Sequence, residues 1–230
     1  SGSLASGDSF SGVLSRVAWE NVGVYAIEQG SLTAGANYNL TFVSASLTIT
    51  AAAANKLTIA TQPSAAATAG VAFTQQPVVR IEDAFGNLIT TDSTTVVTAA
   101  RSSGAGTLQG TSLTATAVNG VATFTGLKYT VAETITIQFT SSPFLTPATS
   151  GNVVVSAAAA DRLTMAGFPN PQTAGLAASV IVTAKDAFDN TATGYTGSIH
   201  FTSSDAQAVL PANYTFLSGD AGIRTFASGV

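Results

Sequence analysis

The chain has 230 residues, enough for about two domains of ordinary size. Hydrophobic residues make up 46% of it and charged residues only 9%, against about 25% in an average soluble protein, so Thr, Ser, Ala, Gly and Asn must cover the surface. A formal charge of −4 with no Lys/Arg cluster excludes a nucleic-acid partner, and the lack of cysteine excludes disulfides, thiolate metal sites and a cysteine nucleophile. No run approaches the roughly 18 apolar residues of a membrane helix, so the segment is expected to be soluble, with no insertion into a membrane.

Residues 1–50 read as short strands separated by turns. The segments that mark this region are Gly7-Asp8-Ser9, Glu20-Asn21-Val22-Gly23-Val24-Tyr25-Ala26-Ile27, Gly30-Ser31-Leu32, Asn37-Tyr38 and Leu47-Thr48-Ile49-Thr50. They resemble the C-terminal part of the MBG ("mostly beta-grasp") domains of secreted bacterial proteins, whose opening strands have no counterpart here. Trp19, between Ala18 and Glu20 and just after Val17, is expected to plug a core, with sugar stacking as the alternative. No signal peptide is visible at Ser1, so any export signal is expected outside this segment.

Residues 51–54 are four alanines, too short a tract to offset the cost of helix nucleation, and they read as a linker. Residues 55–156 then show period-two alternation at Leu57/Ile59, Val79/Ile81, Val121/Thr123, Ile135/Ile137/Phe139 and Val153/Val155. About seven short strands with Gly, Pro and Asn turns in about 100 residues predict a two-sheet Greek-key sandwich. Pro63 and Pro77 fall where an edge strand or a strand start tolerates a missing amide hydrogen. In Asp83-Ala84-Phe85-Gly86-Asn87 the aspartate is expected to accept backbone amides in an Asx-turn, Gly86 to supply a left-handed residue, and Phe85 to plug the end of the core.

Residues 157–160 repeat the alanine linker, and residues 161–230 repeat the module. Lys56-Leu57-Thr58 is answered by Arg162-Leu163-Thr164, the turn by Asp186-Ala187-Phe188-Asp189-Asn190, and Leu108, Gly120 and Phe124 by Leu210, Gly222 and Phe226, 102 to 106 residues later. That period is the size of a whole small domain and too long for a solenoid repeat. Asp189 and Phe188 are expected to take the roles of Gly86 and Phe85. Nothing in the second copy answers residues 133–155, so that copy reads as unfinished and the chain as part of a longer one. The turn resembles that of bacterial immunoglobulin-like repeats, strung in tandem in intimin- and invasin-like adhesins and other large surface proteins. Tyr195-Thr196-Gly197, Ser203-Ser204-Asp205, Leu210-Pro211-Ala212 and Tyr214-Thr215-Phe216 look like a common variant of those repeats. The expected class is therefore all-β: tandem immunoglobulin-like sandwiches end to end after a partial MBG-type domain.

Candidate chemistry is sparse. His200 is the only histidine, so the chain can form no histidine dyad or two-histidine metal site, and it should point outward from a strand between Ile199 and Phe201. The twelve acids are mostly single turn residues, and a calcium ion wants about 6–8 oxygens. Asp83 with Asn87 is one possible ligand group; Asp186, Asp189, Asn190, Asp205 and Asp220 in the third region are the better calcium candidates, with turn stabilisation as the competing role. Two facing acids in an aromatic-lined cleft, as glycoside hydrolysis needs, are not in evidence. Lys56, Asn152 and the acid Glu82 or Asp83 could form an isopeptide crosslink of the kind found in pilin domains, although Arg162 replaces the lysine in the repeat.

No cofactor and no enzymatic activity are expected. The resemblances imply a structural segment of a large exported bacterial repeat protein, extracellular or on the cell surface: a stalk, spacer or fibre body that presents other domains. Its partners would be neighbouring modules, identical chains, or a host or surface glycan or protein. The alternatives are an adhesive module that binds glycan or protein through its end loops, and a filament subunit completed by strands from neighbouring chains.

Overall fold

Runs of Val, Ile, Thr and aromatic residues with period two become strands along the whole chain, and among the described residues the only helical element is one turn at Ser218–Asp220. The computed structural model describes residues 3–173 and 175–226. The outermost residues of the first and third expected ranges, 1–2 and 227–230, lie outside it. The fold is all-β, as the sequence predicts, and among the described residues no helix is long and apolar enough to cross a membrane.

In the first region β1 (Gly23–Ile27) pairs antiparallel with β2 (Ala45–Ile49), Gly23 opposite Ile49. Isolated bridges Ser15–Glu28 and Ser11–Thr33 extend the ribbon. Little is buried: Ala34 is the one core hydrophobic among its described residues. Trp19 is 61% exposed, against the core position expected for it. A two-stranded ribbon has no second layer to receive an indole. The chain at Trp19 is held from outside instead, by Arg16, whose Nη1 donates to the carbonyls of Val17 and Trp19.

The central region builds the main core. Its strands are β3 (Lys56–Thr61), β4 (Ala66–Thr68), β5 (Val78–Glu82), β6 (Val96–Ser103), β7 (Thr114–Thr116), β8 (Val121–Thr123), β9 (Thr134–Ser142), β10 (Ala148–Thr149) and β11 (Val153–Ser156). One sheet has the order β3-β5-β8, the other β4-β11-β9-β6-β7 with β10 on β9. The chain crosses between sheets repeatedly, which is the Greek-key sandwich expected. Inward positions of both sheets meet in one cluster, including Leu57, Val79, Ile81, Phe124, Ile135, Ile137 and Phe139, with the Phe124 and Phe139 rings 5.3 Å apart. The first strand is split between sheets: β3 joins β5, then β4 joins the last strand, β11, in parallel, Ala66 opposite Val154 and Thr68 opposite Ser156. Tyr129 closes one end of the core; its hydroxyl donates to the Glu133 carboxylate at 2.6 Å, which also receives the amides of Ala105 and Gly106. Pro77 stands just before β5, where its carbonyl accepts the Phe124 amide.

The third region repeats half of this plan. Here β12 (Arg162–Ala166), β13 (Val180–Lys185) and β16 (Ile223–Phe226) pair in the order of β3, β5 and β8, while β14 (Ser198–Ile199) pairs with β15 (Tyr214–Thr215) as β6 does with β7. Equivalent hydrogen bonds recur: Ile81 N to Gly120 O becomes Ala184 N to Gly222 O, and Ile89 N to Ile81 O becomes Ala192 N to Ala184 O. Gly120 and Gly222 both have φ near +78°, and at each a Cβ would come within 2.5 Å of a carbonyl oxygen, of Ile89 and Ala192 respectively. Only glycine fits there. Among the described residues nothing corresponds to β9, β10 or β11, and the core shrinks to Val182, Ile199 and Phe216 with partly buried aromatics around them. Leu57 is 4% exposed and its repeat partner Leu163 is 44% exposed.

Candidate functional site

The repeated turn is densely hydrogen-bonded in both copies. At Asp83, Oδ1 accepts the amides of Phe85 (2.9 Å) and Asn87 (2.8 Å), while Oδ2 accepts the Asn87 side-chain amide (2.9 Å) and the amide of Ala52 in the alanine linker (2.9 Å). Backbone bonds from Asp83 N to Asn87 O and from Gly86 N to Asp83 O close the loop. Gly86 takes φ +91°, as expected of a left-handed position. Burial pushes the fully enclosed Asp83 carboxyl up, but the Asn87 side chain and the amides of Ala52, Asn87 and Phe85 outweigh it and hold it at about 2.

The second copy is nearly superimposable in its bonding. Asp186 Oδ1 accepts Phe188 N (2.8 Å) and Asn190 N (2.9 Å), and Oδ2 accepts Asn190 Nδ2 (2.8 Å) and Ala158 N (2.9 Å). Asp189 is the left-handed residue, φ +70°. Burial again pushes the carboxyl up and the same four donors bring it below the usual carboxylate range. The aspartates therefore do what the sequence predicts, and they also fasten the alanine linkers that precede each repeat.

Besides bonding back to the aspartates, the asparagine side chains reach beyond the turn. Asn87 donates from Nδ2 to the carbonyl of Glu20 and accepts the amide of Val22 at Oδ1, both at 2.8 Å. Asn190 donates to the carbonyl of Thr130 at 2.7 Å and accepts the amide of Ala132 at 2.8 Å. In each case a side-chain amide pairs with the carbonyl of one residue and the amide of the next but one, as a neighbouring strand would. Glu20 and Val22 lead into β1 of the first region; Thr130 and Ala132 lie between β8 and β9 of the central one.

The phenylalanines correct the expectation that they plug the core. Phe85 is 61% and Phe188 43% exposed. Each follows an aspartate whose carboxylate already occupies the enclosed end of the turn, so the ring is turned outward. Phe188 lies against Gly70 of the central region: a Cβ there would stand 2.2 Å from Cζ of its ring.

The calcium candidates are spread over separate environments. Asp186 has both oxygens filled by N–H donors, Asp189 pairs with Arg162, and Asn190 is engaged with Thr130 and Ala132. Asp205 accepts the Gln207 amide in its own loop; Asp220 accepts from Tyr214, Leu217 and Arg224. Among the described residues no three His, Asp or Glu side chains form a metal-sized group. His200 is exposed just beyond Ile199 at the end of β14 and contacts Asn213. Lys56 sits opposite Glu82 in the β3–β5 ladder, and Asn152 lies just before β11. A depression of about 490 Å³ beside the second alanine tract is lined by Ala157–Ala160, Ala192 and the Gly194–Gly197 loop, with no acid or histidine.

Comparison with known proteins bears on the first region. A family model for the MBG domain (YGX type) matches residues 1–48. The match covers the region for which the sequence suggested that resemblance. No curated protein matches the chain. The residues that sequence reading missed are the partners of the asparagines and of Phe188. Most act through backbone atoms, which leave no residue-type signature; Gly70 alone carried a signal, an unexplained glycine in a β-rich segment.

Proposed function

We propose that this chain is a load-bearing structural segment of a large exported bacterial surface protein, in which an MBG-type module (residues 1–50) precedes two immunoglobulin-like modules (55–156 and 161–230) across alanine linkers. The modules act as a stalk or spacer and carry no catalysis.

The observation that supports this reading best is the parallel pairing of β4 with β11. These strands lie at opposite ends of the central module's sequence. When the two chain ends are drawn apart, parallel neighbours slide along each other, so the bonds of Val154 N to Ala65 O and Ala69 N to Ser156 O are loaded together and in shear. Near β3, Leu57 N to Thr146 O and Thr146 N to Asn55 O form a second such clamp. An antiparallel terminal pair would instead unzip one bond at a time.

Stretching the full chain in a single-molecule force experiment tests the reading. The central module should open in one step with a gain of about 300 Å, the extended length of its roughly 100 residues less the span of the folded module. Replacing Ala67 by proline, which disrupts the β4–β11 edge, should lower the opening force while the length gain stays the same. Gradual extension without a distinct opening step would refute a load-bearing role.

A further inference from the structure

We infer that the Asp-x-Phe-x-Asn turn is a docking element that locks each immunoglobulin-like module onto the end of the module before it, and that its partner is a short stretch of exposed backbone of either fold. The inference deepens the spacer reading and rests on its division into modules.

Three observations at two independent junctions carry it. First, the turn's aspartate ties down the linker as well as its own loop, through Ala52 N at one junction and Ala158 N at the other. The alanines have no side chains with which to fix their own path, so this bond sets where the next module begins. Second, the asparagine amide reaches across and meets a carbonyl and an amide two residues apart, Glu20 and Val22 or Thr130 and Ala132, at 2.7–2.8 Å. The two targets differ in sequence and belong to different folds, yet each is a bend just ahead of a strand, β1 of the MBG-type region in one case and β9 of the sandwich in the other. What they share is an unpaired peptide edge, which an amide side chain fits with both of its groups. Third, at the second junction the Phe188 ring rests on Gly70, whose φ of +78° and missing Cβ leave room for it.

The same aspartate oxygen that holds the linker also holds the asparagine Nδ2. Linker, turn and preceding module thus meet at one buried carboxylate, and a shift of any one disturbs the other two. Because recognition uses backbone, the element accepts predecessors of different type, which suits a mosaic of modules better than a surface matched side chain to side chain.

The test uses the full chain, which lacks cysteine and so accepts spin labels at introduced cysteines. Labels at Ala100→Cys and Thr225→Cys, both exposed, report the spacing of the central and third modules. A narrow distance distribution should broaden in Asn190→Ala, and the Ala132 amide should exchange about tenfold faster or more, while Val182 in β13 keeps its protection. Phe188→Ala, which leaves every bond of Asp186 in place, should also broaden it; Asn87→Ala should free the Val22 amide in the same way at the first junction. A distribution already broad in the parent, one unchanged by Asn190→Ala, or loss of Val182 protection together with Ala132 would overturn the inference. The last result would mean that the turn serves only the folding of its own module. None of these outcomes touches the force-clamp step, so the docking element can fail while the spacer reading stands.

Discussion

Leu57 and Leu163 occupy the same place in the repeat, yet the structure assigns them different energetics. Leu57 is 4% exposed beneath the second sheet, and Leu163 is 44% exposed on β12. Leu57→Ala removes a fully buried side chain from a close-packed cluster and leaves a cavity, at a cost of about 2–5 kcal/mol. Leu163→Ala gives up only about half of a leucine's burial and opens no enclosed cavity, so about 1 kcal/mol is expected. With a urea slope of about 1.5 kcal/mol/M, a 3 kcal/mol loss moves the midpoint by about 2 M, well beyond the error of extrapolation. The assay is a urea titration of the full chain followed by methyl resonances, Ile81 and Ile137 for the central core and Ile199 for the third region. Leu57→Ala should shift the Ile81 and Ile137 transitions strongly, and Leu163→Ala should shift Ile199 slightly. Equal costs for the two substitutions, or a larger cost for Leu163, would show that a second layer covers β12 and that the burial described above is wrong.

Two further predictions concern pH. Asp83 is held at about 2 in the folded chain against an ordinary 3.8, so its stabilisation is complete above about pH 4 and is lost as the pH falls towards 2. Asp92, Glu133, Asp186 and Asp220 are also lowered and act in the same sense, so the share of Asp83 is read by difference: the central region's urea midpoint should fall less between pH 5 and pH 2.5 in Asp83→Asn than in the parent, and equal falls would contradict the turn geometry. At the alkaline end, burial and then the Glu133 carboxylate push the Tyr129 hydroxyl up to about 12, so its stabilisation persists through pH 10 and is lost as the pH approaches 12. Burial and then Asp220 raise the Tyr214 hydroxyl as well, so an ultraviolet titration should show late tyrosines of which one is lost in Tyr129→Phe; loss of a normally titrating tyrosine instead would place the Tyr129 hydroxyl in solvent.

The β class, the repeat and the internal wiring of its turn could be read from the residues themselves, because each depends on atoms close together in the chain. Val79 and Ile81, or Ile135, Ile137 and Phe139, are inward because period two puts them on one face. Asp83 and Asp186 bind amides two and four residues ahead, and Gly86 and Asp189 take left-handed backbone at the apex, all within five residues. Trp19, Phe85 and Phe188 depart from the expected core positions for a common reason: a large apolar side chain is buried only if some other layer arrives to cover it, and no local pattern reports that. The same dependence separates Leu57 from Leu163, whose flanking sequences are nearly alike but whose opposing strands are not. Tertiary structure alone decided where Asn87 and Asn190 point, since their targets are peptide groups of the preceding region, about 60 to 70 residues back, and a peptide group looks the same whatever side chain it carries.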